Sequence, residues 1–274
     1  MDFAGSWYPA GPDACARAIA EYAAAPPPGA RLALAPHAGW LYSGRLAAHA
    51  YQALAAGGDA DLVIVLGGHL RRTDPLIVMA EGQWETPFGP FTLHAAARSA
   101  FAGFGAVEWE TPASYTPDNS TELQLPFAKH AFPRAELLAL RVPPSSEAVQ
   151  VGAALADYVA RSRLRTVAIA STDLTHYGPN YRFETHGRGA PALRWVREEN
   201  DPAFLHAVQS ESPETVLEVS HARQCACSAG AAIALTEMAR RQGLRFESLG
   251  YATSADVKPG DLRNFVGYLA GVWR

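Results

Sequence analysis

The chain has little cysteine and no long apolar run, and each shortage closes off a class of protein. Its 274 residues include three cysteines, Cys15, Cys225 and Cys227. An odd trio cannot build a disulfide framework, so the fold must rest on a packed core, and a reducing cytoplasm is the expected setting. No apolar stretch reaches the roughly 18 residues of a membrane helix. The N-terminus lacks a basic segment followed by an apolar one, so no secretory leader is expected. No basic block invites nucleic acid. Formal net charge is -4, and the densest positive cluster, Arg161, Arg163 and Arg165, reads as a solvated helix end. A phosphate-cradling loop, a Gly-x-Ser-x-Gly elbow and a His-Glu-x-x-His pair are also missing.

What is present is apolar material in short, buried-looking runs. At 49% hydrophobic residues the chain can fill one large domain or two fused halves. No linker, low-complexity tract or repeat divides it, so residues 1–274 are read as a single domain. Apolar runs predict strands at Arg31–Pro36, Leu62–Leu66, Ala135–Val142 and Thr166–Ala170. Shorter strands are expected at Pro75–Glu81 and Gln83–Leu93, and two more at Phe246–Thr253 and Phe265–Trp273. Helices are expected at Asp13–Ala24, stopped by Pro26–Gly29, and at 43–54 with Ser43 as its cap. Others are expected at Ala95–Phe104, Glu122–Ala131, Ser146–Ala160, Pro191–Gln209, Pro213–Val219 and Ser228–Arg241, with Tyr177–Gly189 a loop. This alternation predicts an α/β fold with a mixed central sheet flanked by helices.

Three of the buried strands run directly into histidine. Leu32–Pro36 leads to His37. The strand at Leu62 ends in two glycines and His69. Thr166–Ala170 leads through Ser171, Thr172 and Asp173 to His176. Strand ends are where α/β sheets carry their sites, and three such ends point to one shared site. Neutral imidazole suits iron, zinc and copper. Asp173 stands three residues before His176, so a helical turn there would put both on one face for acid–base work. Each His has a bland alternative, a hydrogen-bonded side chain at a strand end. Cys225 and Cys227 precede the helix expected at Ser228, where a thiol is acidified, and either could be a ligand or a small core residue. His221 is a further candidate ligand, while Cys15 reads as core. Arg71, Arg72 and Asp74 read as solvated loop residues. Glu122 suits the first turn of a helix capped by Asn119 or Ser120.

Taken in order, these segments resemble the Memo family, including the Memo-like protein B of AmmeMemoRadiSam gene sets. The resemblance is carried by Ala4-Gly-Ser-Trp-Tyr-Pro9, Pro36-His-Ala-Gly39 with Tyr42-Ser-Gly44, and Leu66-Gly-Gly-His69. It continues through Glu85-Thr-Pro-Phe-Gly89, Glu122-Leu-Gln-Leu-Pro-Phe127, Ser171-Thr-Asp-Leu-Thr-His176 and Phe265-Val-Gly-Tyr268. It implies the class III extradiol dioxygenase-like fold and a metal site of two His and one Cys. His37 and His69 match the two His, and Cys227 matches the Cys, Cys225 needing a two-residue shift. Asp173 and His176 match the acid–base pair. Asn119 stands where the family often has His, Ser228 where it has Gly after the Cys, Gly-Gly rather than Pro-Ser precedes His69, and His94 replaces a common acidic residue.

The resemblance thus implies a non-haem Fe(II) enzyme of the oxygenase type acting on a small aromatic or related substrate, with copper or zinc as other metals for a site softened by sulfur. It also implies the AmmeMemoRadiSam protein A and a radical-SAM protein as partners. Two alternatives stand beside it. One is a zinc hydrolase-like enzyme with a metal-bound water as nucleophile. The other is a metal- or peptide-binding module with no activity, since fold alone does not fix function.

Overall fold

Helix α1 (Pro12–Glu21) precedes strand β1 (Leu32–Ala35) and helix α2 (Trp40–Ala56). Strands β2 (Leu62–Gly67) and β3 (Leu76–Met79) follow, then a small hairpin of β4 (Gln83–Trp84) and β5 (Phe91–Thr92), a 3-10 segment at Ala95–Phe101, and β6 (Val107–Glu110). Helices α3 (Asn119–Glu122) and α4 (Leu125–Ala131) lead to β7 (Glu136–Arg141), α5 (Ser146–Ser162), β8 (Thr166–Ser171) and β9 (His176–Tyr177). Next come α6 (Ala190–Trp195), a π-helical turn at Val196–Asn200, α7 (Asp201–Gln209), α8 (Pro213–Arg223) and α9 (Ala229–Arg241). Strand β10 (Phe246–Thr253), helix α10 (Ser254–Val257) and β11 (Phe265–Trp273) come last. This computed structural model describes the chain apart from residues 25–27, 80, 102 and 261 and the side chains of 97–99. The helix stop expected at Pro26, and parts of the elements expected at Pro75–Glu81 and Ala95–Phe104, lie outside the described residues.

The main sheet runs β10-β11-β1-β8-β2-β7-β3-β6, with β9 paired to β11. Its centre, β1-β8-β2-β7, is parallel, and antiparallel pairings at β11 and β3 make it mixed. Period-2 alternation splits the apolar side chains between two cores. Leu32, Leu34, Leu62, Ile64, Leu66 and Ala170 face the layer containing α5, α7, α8 and α9. Ala33, Ala35, Val63, Val65, Val167 and Ile169 face the layer containing α2 and α4. Strands covered on both faces can be apolar throughout, which is why these runs do not alternate in polarity. The α/β fold with a mixed sheet flanked by helices is therefore as expected. Among the described residues no helix is long and apolar enough to cross a membrane.

Some boundaries differ from expectation for identifiable reasons. Helix α2 begins at Trp40, not after Ser43, because the Trp40 N–H donates to Trp7 O at 2.8 Å. Ser43 instead donates from inside the helix to Ala38 O at 2.9 Å. Asp118, not Asn119 or Ser120, caps α3 by accepting from Ser120 N. The stretch from Asp173 to His176 is not helical, and His176 pairs with Val266 of β11 instead. Strand β6 had no counterpart in the sequence reading. It is an edge strand with an exposed Glu108, and lacks the continuous apolar run of the central strands.

Candidate metal centre

Parallel register aligns the C-terminal ends of β1, β8 and β2, and each chain continues into a site residue. Ala35 pairs with Ser171, so His37 and Asp173 leave the sheet side by side. Asp173 Oδ1 accepts from His37 N at 2.7 Å and Ala38 N at 3.2 Å, which locks the two strand exits together. Gly68, at φ +106°, turns the chain out of β2 toward His69. A Cβ there would meet the Arg141 backbone at 2.9 Å, so glycine is required on two counts. Cys227 arrives from the far end of the sequence. Its N–H donates to Asp173 O at 3.2 Å, and the next residue, Ser228, donates from N to Thr172 Oγ1 at 3.1 Å.

These segments bring His37, His69 and Cys227 together, with ligand atoms all within 4.8 Å of one another. Cys227 Sγ lies 3.2 Å from His37 Nε2, and the His37 and His69 rings sit 5.0 Å apart, edge to face. Asp173 and His176 adjoin the same sulfur and form an overlapping group with it. All five residues singled out from the sequence thus meet in one place. The Asp173–His176 relation is looser than a hydrogen bond. His176 Nε2 is 3.8 Å from Asp173 Oδ2 and has no hydrogen-bond partner among the described residues.

The other candidates go elsewhere. Cys225 is wholly buried in the main core, and burial pushes its thiol up to about 12. Cys15 is also buried, donating to Pro9 O. His221 meets Pro144 O at 2.9 Å and joins no metal-ligating group. His94 is held between Glu136 and Tyr158. Arg71 and Asp74 close a surface turn, Arg71 N donating to Asp74 Oδ2.

The supporting hydrogen bonds leave the ligand atoms open. Ser171 Oγ accepts from Gln124 Nε2 at 3.0 Å and lies 3.1 Å from His37 Nδ1. Its second lone pair can take the Nδ1 proton, the tautomer in which Nε2 turns a lone pair toward Cys227. Asn119 donates from Nδ2 to His37 O at 3.3 Å, so its Oδ1, 3.0 Å from His69 Nε2, accepts from that ring and leaves Nδ1 as the donor atom. Asn119, which stands where the family often has His, therefore orients a candidate ligand. The charge balance also suits a cation. Burial pushes the Cys227 thiol up, but the imidazoles of His37, His176 and His69 outweigh it and hold it well below its ordinary 9.0. Burial pushes His37 and His176 down, and the thiolate and Asp173 reverse this, raising them to about 9 and about 10. The protons these imidazoles hold beside the thiolate are ones a soft divalent cation can displace on binding, so the donor set fits such a cation.

The cluster opens into a cavity of about 560 Å³. His37, His69, Asn119, Asp173 and His176 line its polar end, and Trp7, Leu41, Tyr42, Tyr181 and Tyr268 contribute an apolar wall. Trp7 is placed there by Glu122. This carboxylate, 1% exposed, accepts from Asp2 N, Phe3 N and Tyr8 Oη, each at 2.9 Å. The first-turn position expected for Glu122 is correct, but its main work is to bind the N-terminal segment against the cavity. That contact spans more than 110 positions and has no local signal.

The sheet and the cluster at its strand ends define an α/β protein with a candidate His/His/Cys metal centre. The chain belongs to the Memo-like protein family, whose model matches residues 1–272. It is 31% identical over 247 residues to a MEMO1 family protein of Methanopyrus kandleri, covering 88% of this chain and 82% of that protein. It is 33% identical over 244 residues to a MEMO1 family protein of Methanosarcina mazei, covering 87% and 84%. Among solved structures, an uncharacterized protein from Escherichia coli K12 superposes with a TM-score of 0.52 at 11% identity, over 81% of this chain and 90% of that one. That likeness is one of fold alone.

Proposed function

We propose that this protein is an iron-dependent, oxygenase-like enzyme that takes a small aromatic or related substrate into the 560 Å³ cavity. The observation that carries the reading is the placement of His37, His69 and Cys227, within 4.8 Å of one another, beside a cavity walled by aromatic side chains. His37 and His69 would hold the metal as neutral imidazoles and Cys227 as the anionic ligand, a set that suits Fe(II), Cu(I) or Zn(II) better than Mg(II). Bound iron would supply a Lewis acid and a redox centre. The chain's own residues do the rest. Trp7, Tyr42 and Tyr181 line the cavity and would pack against an aromatic ring. With the charge of the Cys227 thiolate taken up by a metal, His176 Nε2, which lines the cavity and has no hydrogen-bond partner among the described residues, would lose the proton that thiolate holds there and could accept one from a substrate hydroxyl. Asp173 Oδ2, 3.8 Å away, steadies the imidazolium that results.

The test is to purify the protein without oxygen, measure its metals by mass spectrometry, and follow oxygen uptake with a panel of aromatic diols. The reading expects about one iron per chain and uptake with at least one diol. Iron-loaded protein that consumes no oxygen with any of them would overturn the oxygenase reading. Zinc as the retained metal would support hydrolysis instead.

A further inference from the structure

A second cavity, of about 450 Å³, opens beside the cluster and shares only His176 with the first. Arg72, Ser220, His221, Gln224 and Cys227 contribute to its wall, and no Asp or Glu does so among the described residues. Cys227 lines this cavity and is absent from the lining of the aromatic one.

Two independent features mark a ligand. The first is Ser220, only 4% exposed, whose hydroxyl has no hydrogen-bond partner. A buried hydroxyl left unpaired is destabilising, so one on a cavity wall marks where a polar ligand belongs. The second is Arg72, an exposed cation that forms no ion pair among the described residues. Its neighbour Arg71 is held in the surface turn by Asp74, which keeps Arg72 at the cavity edge. His221 donates from Nε2 to Pro144 O, a fixed orientation that leaves Nδ1 as its free ring nitrogen. The C-terminal end of α8 and the N-terminal end of α9 both flank the cavity, so their dipoles offset and the side chains set its charge.

We propose that this second cavity binds a small oxyanion, a phosphate or a carboxylate, with Arg72 as counter-ion and the Ser220 hydroxyl as hydrogen-bond donor. The oxyanion, held at Arg72 and Ser220, is a separate ligand in a cavity that borders the cluster through His176 and Cys227 without being the aromatic cavity. The site stands on its own residues and does not depend on which metal, if any, the cluster holds.

Inorganic phosphate and acetate, titrated separately into the full-length protein at low ionic strength by calorimetry, test this. Saturable one-site binding of either anion is expected, and which one binds tells phosphate from carboxylate. Arg72→Gln and Ser220→Ala should each weaken that binding about tenfold, the loss of one charge-assisted or buried hydrogen bond. Lys258→Gln, which removes the lysine lining the aromatic cavity, should change it less than about twofold. Absence of saturable binding by both anions overturns the proposal. So does unchanged affinity in both the Arg72 and Ser220 variants, or loss in the Lys258 variant alone, which would move the anion to the aromatic cavity.

Discussion

Cys227 Sγ lies 3.2 Å from His37 Nε2 although 190 positions separate them. The contact depends on two strand exits and a helix start being locked together, and its most direct consequence concerns the metal. Cys227→Ser replaces a soft thiolate with a hard, neutral hydroxyl, so bound iron, zinc or copper should fall at least about tenfold in affinity. Cys225→Ser should leave metal content unchanged while lowering stability, because its side chain is sealed in the core. Metal analysis of the two purified variants checks this. Full metal retention in the Cys227 variant would remove the sulfur from the site.

His176 belongs to the overlapping group with Asp173 and Cys227, so its role can be separated from that of His37. As an acid–base residue it should be dispensable for metal but not for turnover. His176→Ala should keep its iron and lose roughly 100-fold or more in rate with any diol the wild type consumes, the usual range for a positioned proton-transfer group. His37→Ala should lose the metal itself. Should His176→Ala also come out metal-free, the cation sits between Asp173, His176 and Cys227, and His176 is a ligand.

How much of this was readable beforehand follows from the range of the contacts. His37, His69 and Asp173 were legible because an apolar strand points at each, a local pattern. Cys227 was only half legible. Its position before a helix is local, but Cys225 shares it, and what separates them is that one faces the core and the other the cluster. Ser171, Gln124 and Asn119 had no signal as orienting residues, because their partners lie 47 to 134 positions away. The start of α2 was misplaced for the same reason, since the bond to Trp7 O that fixes it is invisible in the local sequence.

Glu122 makes a prediction about the N-terminal segment. Glu122→Gln keeps the shape but turns an amide N–H₂ toward donors and removes the charge they solvate. A hydrogen bond to a charged group contributes about 1.5–3 kcal/mol, so the variant should lose about 2 kcal/mol or more of unfolding free energy in urea. Because Trp7 is held through this segment, diol binding should weaken while metal content stays constant. A variant with wild-type stability would show that the three donors are equally well served without the carboxylate.

Gly152 of α5 packs against α9 so closely that a Cβ would meet Ala234 O at 2.1 Å and Ala234 C at 2.9 Å. Backbone cannot swing aside as a side chain can, so Gly152→Ala must force the helices apart. Overpacking of this kind costs about 1–3 kcal/mol, and this case belongs at the upper end. Gly105→Ala, with nothing within 4 Å of the added atom, is the matched control and should be close to neutral. Equal urea midpoints for the two variants would mean that α5 and α9 are less tightly apposed than this packing shows.

Asp201 gives the pH dependence. Its carboxyl is 1% exposed, and burial raises it from 3.8 to about 6, even though Thr175 and Tyr251 donate hydrogen bonds that pull it down. A carboxyl raised in the folded state binds its proton more tightly there than in the unfolded chain. Its contribution to stability is therefore full below pH 3.8, declines as the pH climbs toward about 6, and is flat above. The decline is worth roughly 3 kcal/mol at 1.36 kcal/mol per pH unit. Asp201→Asn keeps an oxygen for Thr175 and offers an N–H to the Tyr251 oxygen, so it should abolish this dependence without emptying the site. Unfolding free energies measured between about pH 4 and pH 7 should show the variant gaining on the wild type as pH rises, with the difference levelling off above about 6. Parallel profiles would mean that Asp201 titrates at an ordinary value, its three donors having outweighed its burial.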